Sequence, residues 1–157
     1  MAAGRGHARP PQLPFVLSVG VTGHRSDALP ADALGRIEAQ LRTALALVKE
    51  SACAVHANAA HPFSDAPPRL QMVSPLADGA DQMAAQIALD LGYNMHAVLP
   101  FGREQYRASL MGNGALARFD TLLARSDCVL ELPGNPADDF EAYVMTGRAT
   151  VARPVIT

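Results

Sequence analysis

Four short apolar runs, at residues 15–21, 70–74, 95–101 and 128–132, alternate along the chain with longer segments whose apolar positions recur every three or four residues. That alternation marks βα units feeding a parallel sheet. The first run, Phe15-Val16-Leu17-Ser18-Val19-Gly20-Val21, is nearly continuous in apolar character, as a central strand covered on both faces should be. After it, Leu34, Ile37, Leu41, Ala44, Leu45 and Val48 fall on one side of a helix, with Arg36, Glu38, Arg42 and Lys49 on the other. A second helix carries Ala80, Ala84, Ile87, Ala88 and Leu91, and Gly92 is placed to end it. A third carries Leu116, Phe119, Leu122 and Leu123, and a fourth Phe140, Tyr143, Val144, Gly147 and Val151. The pattern predicts one α/β domain over residues 15–157, a three-layer α/β/α arrangement with a mainly parallel sheet, behind a flexible tail at residues 1–14. Residues 53–69 follow neither period and hold Pro62, Pro67 and Pro68, so they read as one long loop, functional or disordered.

Composition narrows the function. With 157 residues, 49% of them apolar, the chain can bury a core, and a formal charge of −2 with no basic stripe gives no electrostatic grip on nucleic acid. A small molecule is the better partner. Cys53 and Cys128, the two cysteines, stand in no paired or metal-like spacing and read as thiols of a reducing compartment. The tail lacks the apolar segment of a signal peptide, and no apolar run approaches the roughly 20 residues that cross a bilayer. A soluble cytoplasmic protein without a cofactor is expected. A homodimer is also expected, because so short a sheet leaves an edge needing cover.

Ligands of open α/β sheets bind outside the carboxyl ends of the strands, where helices begin and their free N–H groups favour anions. The first exit reads Gly20-Val21-Thr22-Gly23-His24-Arg25. Its two glycines would let backbone approach a ligand, and Arg25 supplies a charge-assisted fork for phosphate. The alternative is an ordinary βα turn. The second exit, Ser74-Pro75-Leu76-Ala77-Asp78-Gly79-Ala80-Asp81, runs straight into a helix. Gly79 and Ala80 would leave the helix N-terminus open to phosphate, while Asp78 or Asp81 accepts from a ribose hydroxyl or caps the helix instead. The third exit, Pro100-Phe101-Gly102-Arg103-Glu104-Gln105-Tyr106, offers an aromatic ring to stack on a base beside the positive charge of Arg103, unless Phe101 belongs to the core. The fourth, Pro133-Gly134-Asn135-Pro136, is a turn that demands no chemistry. Cys53, His56 and His61 make at most a partial metal site without a fourth ligand, and His24 and His96 are candidate proton carriers, His96 more simply a structural residue. No Gly-x-Ser-x-Gly elbow and no Walker lysine is present.

Taken in order, Val19-Gly20-Val21-Thr22-Gly23-His24-Arg25, Ser74 through Asp81, Ala97-Val98-Leu99-Pro100-Phe101, and Tyr143 through Gly147-Arg148 resemble the SLOG superfamily, which joins DprA/Smf, LOG-type and YpsA-type proteins. The resemblance runs from about Phe15 to Arg148 and is most specific in the second segment. It implies a Rossmann-like sheet and a site for a nucleotide or nucleotide-derived ligand built from Gly20, Thr22, Gly23, His24, Arg25, Ser74, Asp78, Gly79, Ala80, Asp81, Pro100, Phe101, Arg103 and Arg148. LOG-type enzymes carry a later Pro-Gly-Gly-x-Gly-Thr-x-x-Glu motif, which this chain lacks. Binding or sensing is therefore the leading expectation. The alternatives are hydrolysis of an N-glycosidic bond, with Asp78, Asp81 or Glu104 assisting, and a non-catalytic DNA-processing accessory role.

Overall fold

The computed structural model describes residues 11–59, 62–111 and 114–152. Strands β1 (Val16–Gly20), β2 (Arg69–Ser74), β3 (Asn94–Leu99) and β4 (Cys128–Glu131) pair in chain order, and every pairing is parallel. Parallel neighbours need crossovers. These are supplied by α1 (Leu34–Asn58), by α2 (Ala80–Asp90), and by α3 (Arg103–Ala108) together with α4 (Ala115–Ala124). Right-handed crossovers that all step the same way place their helices on one face, and α1 meets α2 and α2 meets α4 there. After β4, α5 (Asp139–Ala152) steps back across the sheet, meeting β3 and bringing Thr150 against Gly20 at the end of β1. The result is a three-layer, Rossmann-like α/β/α domain.

Burial follows from strand order. Met72, Val73, Met95, Ala97, Val98 and Leu99 on the two central strands are buried, and Tyr106 and Phe119 close the core between α3 and α4. Residues 16–19 of β1 are half-buried, because β1 pairs only with β2 among the described residues. This corrects the expectation of a central first strand: β1 stands at the edge of the described sheet, because an apolar run reports burial somewhere, not position in the sheet. No helix among the described residues is long and apolar enough to cross a membrane.

Two further expectations are corrected. Helix α1 continues to Asn58, six residues into the segment read as loop from 53 to 69, since Ser51 through Asn58 contains no helix breaker and much alanine. Beyond it, the chain is ordered by an aromatic cluster: Phe15 and Phe63 meet edge-to-face at 5.0 Å, and His56 packs on Phe15 at 5.5 Å while its Nε2 bonds Ser64 O at 2.9 Å. His56 is thereby a structural residue, Cys53 is exposed, and His61 lies outside the described residues. Among those described, no three His, Cys, Asp or Glu side chains gather as metal ligands. Of the tail at 1–14, residues 1–10 lie outside the described residues, but Leu13 bridges Phe63 and accepts from Ser64 N at 2.9 Å, so the chain is already anchored before β1.

Candidate functional site

The first two strand exits interlock. Gly79, at φ +101°, occupies a backbone conformation that L side chains rarely adopt, and a Cβ there would lie 2.5 Å from His24 O and 2.6 Å from Ser26 N. Ala80 N donates to His24 O at 3.0 Å, and a Cβ on Gly23 would sit 2.6 Å from the Ala80 Cβ. The glycines at the first two exits thus make room for protein. Gly20 yields to the Thr150 carbonyl of α5, and Gly23 and Gly79 let the two loops touch. This corrects the expectation that Gly79 and Ala80 leave the α2 N-terminus open to phosphate: the β1 exit loop fills that place.

Charged side chains tie the same junction. Asp78 does not cap α2, which has no side-chain cap. Its carboxylate accepts from Ser26 Oγ at 2.7 Å and pairs with Arg25 Nη1 at 3.5 Å. Arg25 Nη2 donates to Tyr143 OH at 2.8 Å, linking the β1 exit to α5. These contacts use two of the five N–H donors of the guanidinium, which remains about a third exposed. Ser74 is buried, and its Oγ accepts from Leu76 N at 3.1 Å, holding Leu76 in the left-handed region at φ 58°. A buried leucine in that conformation is backbone strain of the kind that gathers at functional sites.

Behind this junction lies a pair of buried polar groups. Asp81, on the first turn of α2, is 3% exposed, and its Oδ1 has no hydrogen-bond partner among the described residues; Tyr106, on α3, is fully buried, and its hydroxyl has none among them either. A third such atom is Thr150 Oγ1, on the helix that abuts β1. Burial pushes the Asp81 carboxyl up to about 7, against the backbone N–H groups of Gly23 and Ala77 and the charge of Arg25, all of which favour carboxylate. Burial likewise raises the Tyr106 hydroxyl, with the Asp81 charge adding to the effect. Buried polar atoms are nearly always bonded, so one carboxylate oxygen of Asp81 and the Tyr106 hydroxyl, two atoms left without a partner on groups that interact electrostatically, call for explanation.

The remaining expected residues separate. Thr22, Gly23 and His24 are exposed on the loop above Asp81. Phe101 is 2% exposed, edge-to-face with Tyr106 at 5.6 Å, and offers no face to a base. Arg103 is held by Glu131, at 2.7 Å from Nε and 2.6 Å from Nη2. Arg148 is exposed on α5, and Pro100 is buried.

No family model matches the chain, and no curated protein is significantly similar to it. The site is therefore read from its own geometry. That geometry adds a feature that the sequence reading passed over. Between the exits of β3 and β4, a groove of about 330 Å³ is lined by Pro100, Leu132, Pro133, Gly134, Ala142 and Met145, with Asn135, Asp138 and Glu141 at polar positions. Its place has a topological cause: the chain leaves β3 toward one face and leaves β4 toward the other, and the crevice where exits diverge is where such sheets bind ligands. A signal existed in the Pro133-Gly134 pair. A Cβ on Gly134 would lie 2.2 Å from Pro100 O and 2.8 Å from the Ala142 Cβ, so the glycine lets the fourth exit pack down beside the third.

Proposed function

We propose that the carboxyl edge of the sheet binds a nucleotide or nucleotide-derived ligand, with its ribose hydroxyls against Asp81 and Tyr106 and an anionic group at Arg25. One observation carries the reading: the buried Asp81 Oδ1 and the buried Tyr106 hydroxyl have no hydrogen-bond partner among the described residues, and the two groups interact electrostatically. A carboxylate accepts from a sugar hydroxyl and a phenol both donates and accepts, which is the complement a diol requires. The groove at the β3–β4 crevice lies within the usual range of about 300 to 1,000 Å³ for small-molecule sites and gives room for the base at the same edge.

The test is calorimetric titration with nucleoside mono-, di- and triphosphates, cyclic dinucleotides and ADP-ribose, each beside its 2′-deoxy counterpart where one exists. A ribose-bearing ligand should bind, and its deoxy counterpart should bind about tenfold or more weakly, the effect of one hydrogen bond to a charged group. Ionised Asp81 is the acceptor, so affinity should fall as pH drops below about 7. Tyr106→Phe should raise the unfolding free energy by about 1 kcal/mol, because it deletes a buried unsatisfied hydroxyl, yet weaken binding. Arg25→Ala should remove about 1.5 to 3 kcal/mol of binding, roughly tenfold to a hundredfold or somewhat more in affinity. Absence of binding by every compound at millimolar concentration would sink the proposal, as would equal affinities in Tyr106→Phe, Arg25→Ala and the parent.

Asp81 also favours a second reading. A buried carboxyl that titrates near neutrality is suited to protonate a leaving base, as N-glycosidic hydrolysis requires. Chromatographic release of free base from the bound nucleotide, abolished in Asp81→Asn, distinguishes hydrolysis from binding alone.

A further inference from the structure

The outward face of α5 carries Phe140, Val144, Gly147 and Val151, spaced i, i+4, i+7 and i+11 and so aligned in one stripe. Phe140 is 77% and Val151 69% exposed, with Val144 and the flanking Met145 also exposed. Single exposed apolar side chains are ordinary, but three aligned with a glycine in one stripe along a 14-residue helix are not. Gly147 sharpens the anomaly. Glycine in a helix interior is less favourable than alanine, and a Cβ at this glycine would meet nothing within 4 Å. Nothing among the described residues of one copy requires the side chain to be missing. Glycine on the open face of a helix fits the close approach of another backbone.

We propose that α5 packs antiparallel against α5 of a second copy of this chain, across a two-fold axis, with Gly147 at the point of closest approach. The occupant is indicated by self-complementarity. In an antiparallel pair centred between Met145 and Thr146, Phe140 of each copy lies opposite Val151 of the other, and Val144 lies opposite Gly147, large against small. Glu141 and Arg148, seven residues apart, share one flank of the stripe. A two-fold axis brings like flanks together with the helix direction reversed, so Glu141 of each copy meets Arg148 of the other. A stripe that matches itself in shape and in charge is what an isologous interface needs. The pairing also sets the second copy beside the β3–β4 groove, because Glu141 and Met145 line the groove wall.

Sedimentation velocity on the whole 157-residue chain at about 50 μM tests this. The parent should sediment at twice the 16.5 kDa of one chain. Gly147→Leu should yield monomer at the same concentration with the helical circular dichroism intact, since the added side chain meets open space within a copy and collides only across the interface. Phe140→Glu should do the same. Glu141→Arg and Arg148→Glu should each weaken dimerisation at least tenfold, and the combined variant should regain most of it. A monomeric parent overturns the proposal. So does a dimer whose dissociation constant is unchanged in both Gly147→Leu and Phe140→Glu, which would place any contact on another surface.

Discussion

Asp81→Asn should make the protein more stable at pH 8 than the parent and flatten the dependence of stability on pH between about 4 and 7. Burial raises the Asp81 carboxyl from its ordinary 3.8 to about 7, so over that interval the folded state holds a proton that the unfolded chain has released. Where the folded state binds more protons, stability falls as pH rises. The contribution of the group is therefore fully present below about pH 4 and lost by the time pH passes 7. At about 1.36 kcal/mol per unit, the interval corresponds to about 4 kcal/mol. Asparagine keeps an oxygen for the Gly23 N–H and carries no charge. Urea denaturation of both proteins at pH 5 and pH 8 reads the effect. A parent whose unfolding free energy changes with pH no more than that of the variant would show that Asp81 ionises without difficulty, and it would remove the physical basis for placing a ligand's hydroxyls there.

Gly79→Ala should destabilise the fold by about 3 to 5 kcal/mol, the sum of forcing an L residue to φ +101° and of pressing a methyl group into His24 O, Ser26 N and Arg25 C, all within 2.7 Å of its Cβ. These are backbone atoms of a loop that is itself pinned by Asp78 and by the Ala80 N–H, so rotamer change gives no relief. Denaturant midpoints of Gly79→Ala and Gly147→Ala make the comparison within one protein. The second glycine has open space around it, and its replacement should stabilise an isolated copy by about 0.5 to 1 kcal/mol. Equal effects at the two positions would mean that the exit loops are not locked together. A bulky residue at Gly79 consequently tests folding before it tests binding, and Arg25 and Tyr106 are the positions at which binding can be probed.

Much of this architecture was legible in the order of residues. Continuous apolar runs separated by helical periods are enough to specify a parallel α/β sheet, because β2 and β3 must be covered on both faces and parallel neighbours must be joined by crossovers. Strand exits ending in glycine marked the sheet edge at which Arg25, Asp78 and Asp81 meet. Helix α3 was not legible, since its six residues are too few to show a period, and with it the burial of Tyr106, which read only as part of the third exit, was missed. The same local blindness hid the continuation of α1 to Asn58, where prolines further along suggested a loop before the helix had ended.

What the sequence could not express was partnership across distance. Gly23 and Gly79 are 56 residues apart, and both read as openings for a ligand; only the fold shows that each makes room for the other's loop. Phe101 and Arg103 read as a base-binding pair, and packing turned one into core and gave the other to Glu131, 28 residues on. Asp81 is an ordinary helix-start aspartate by local rules. Its raised pKa arises from burial beside the β1 exit loop, where Gly23 lies against it. Periodicity acts between neighbours in the chain and so can be read along it, whereas desolvation and steric exclusion depend on which segments meet, and that is decided only when the sheet closes its order from β1 to β4 and α5 folds back over it.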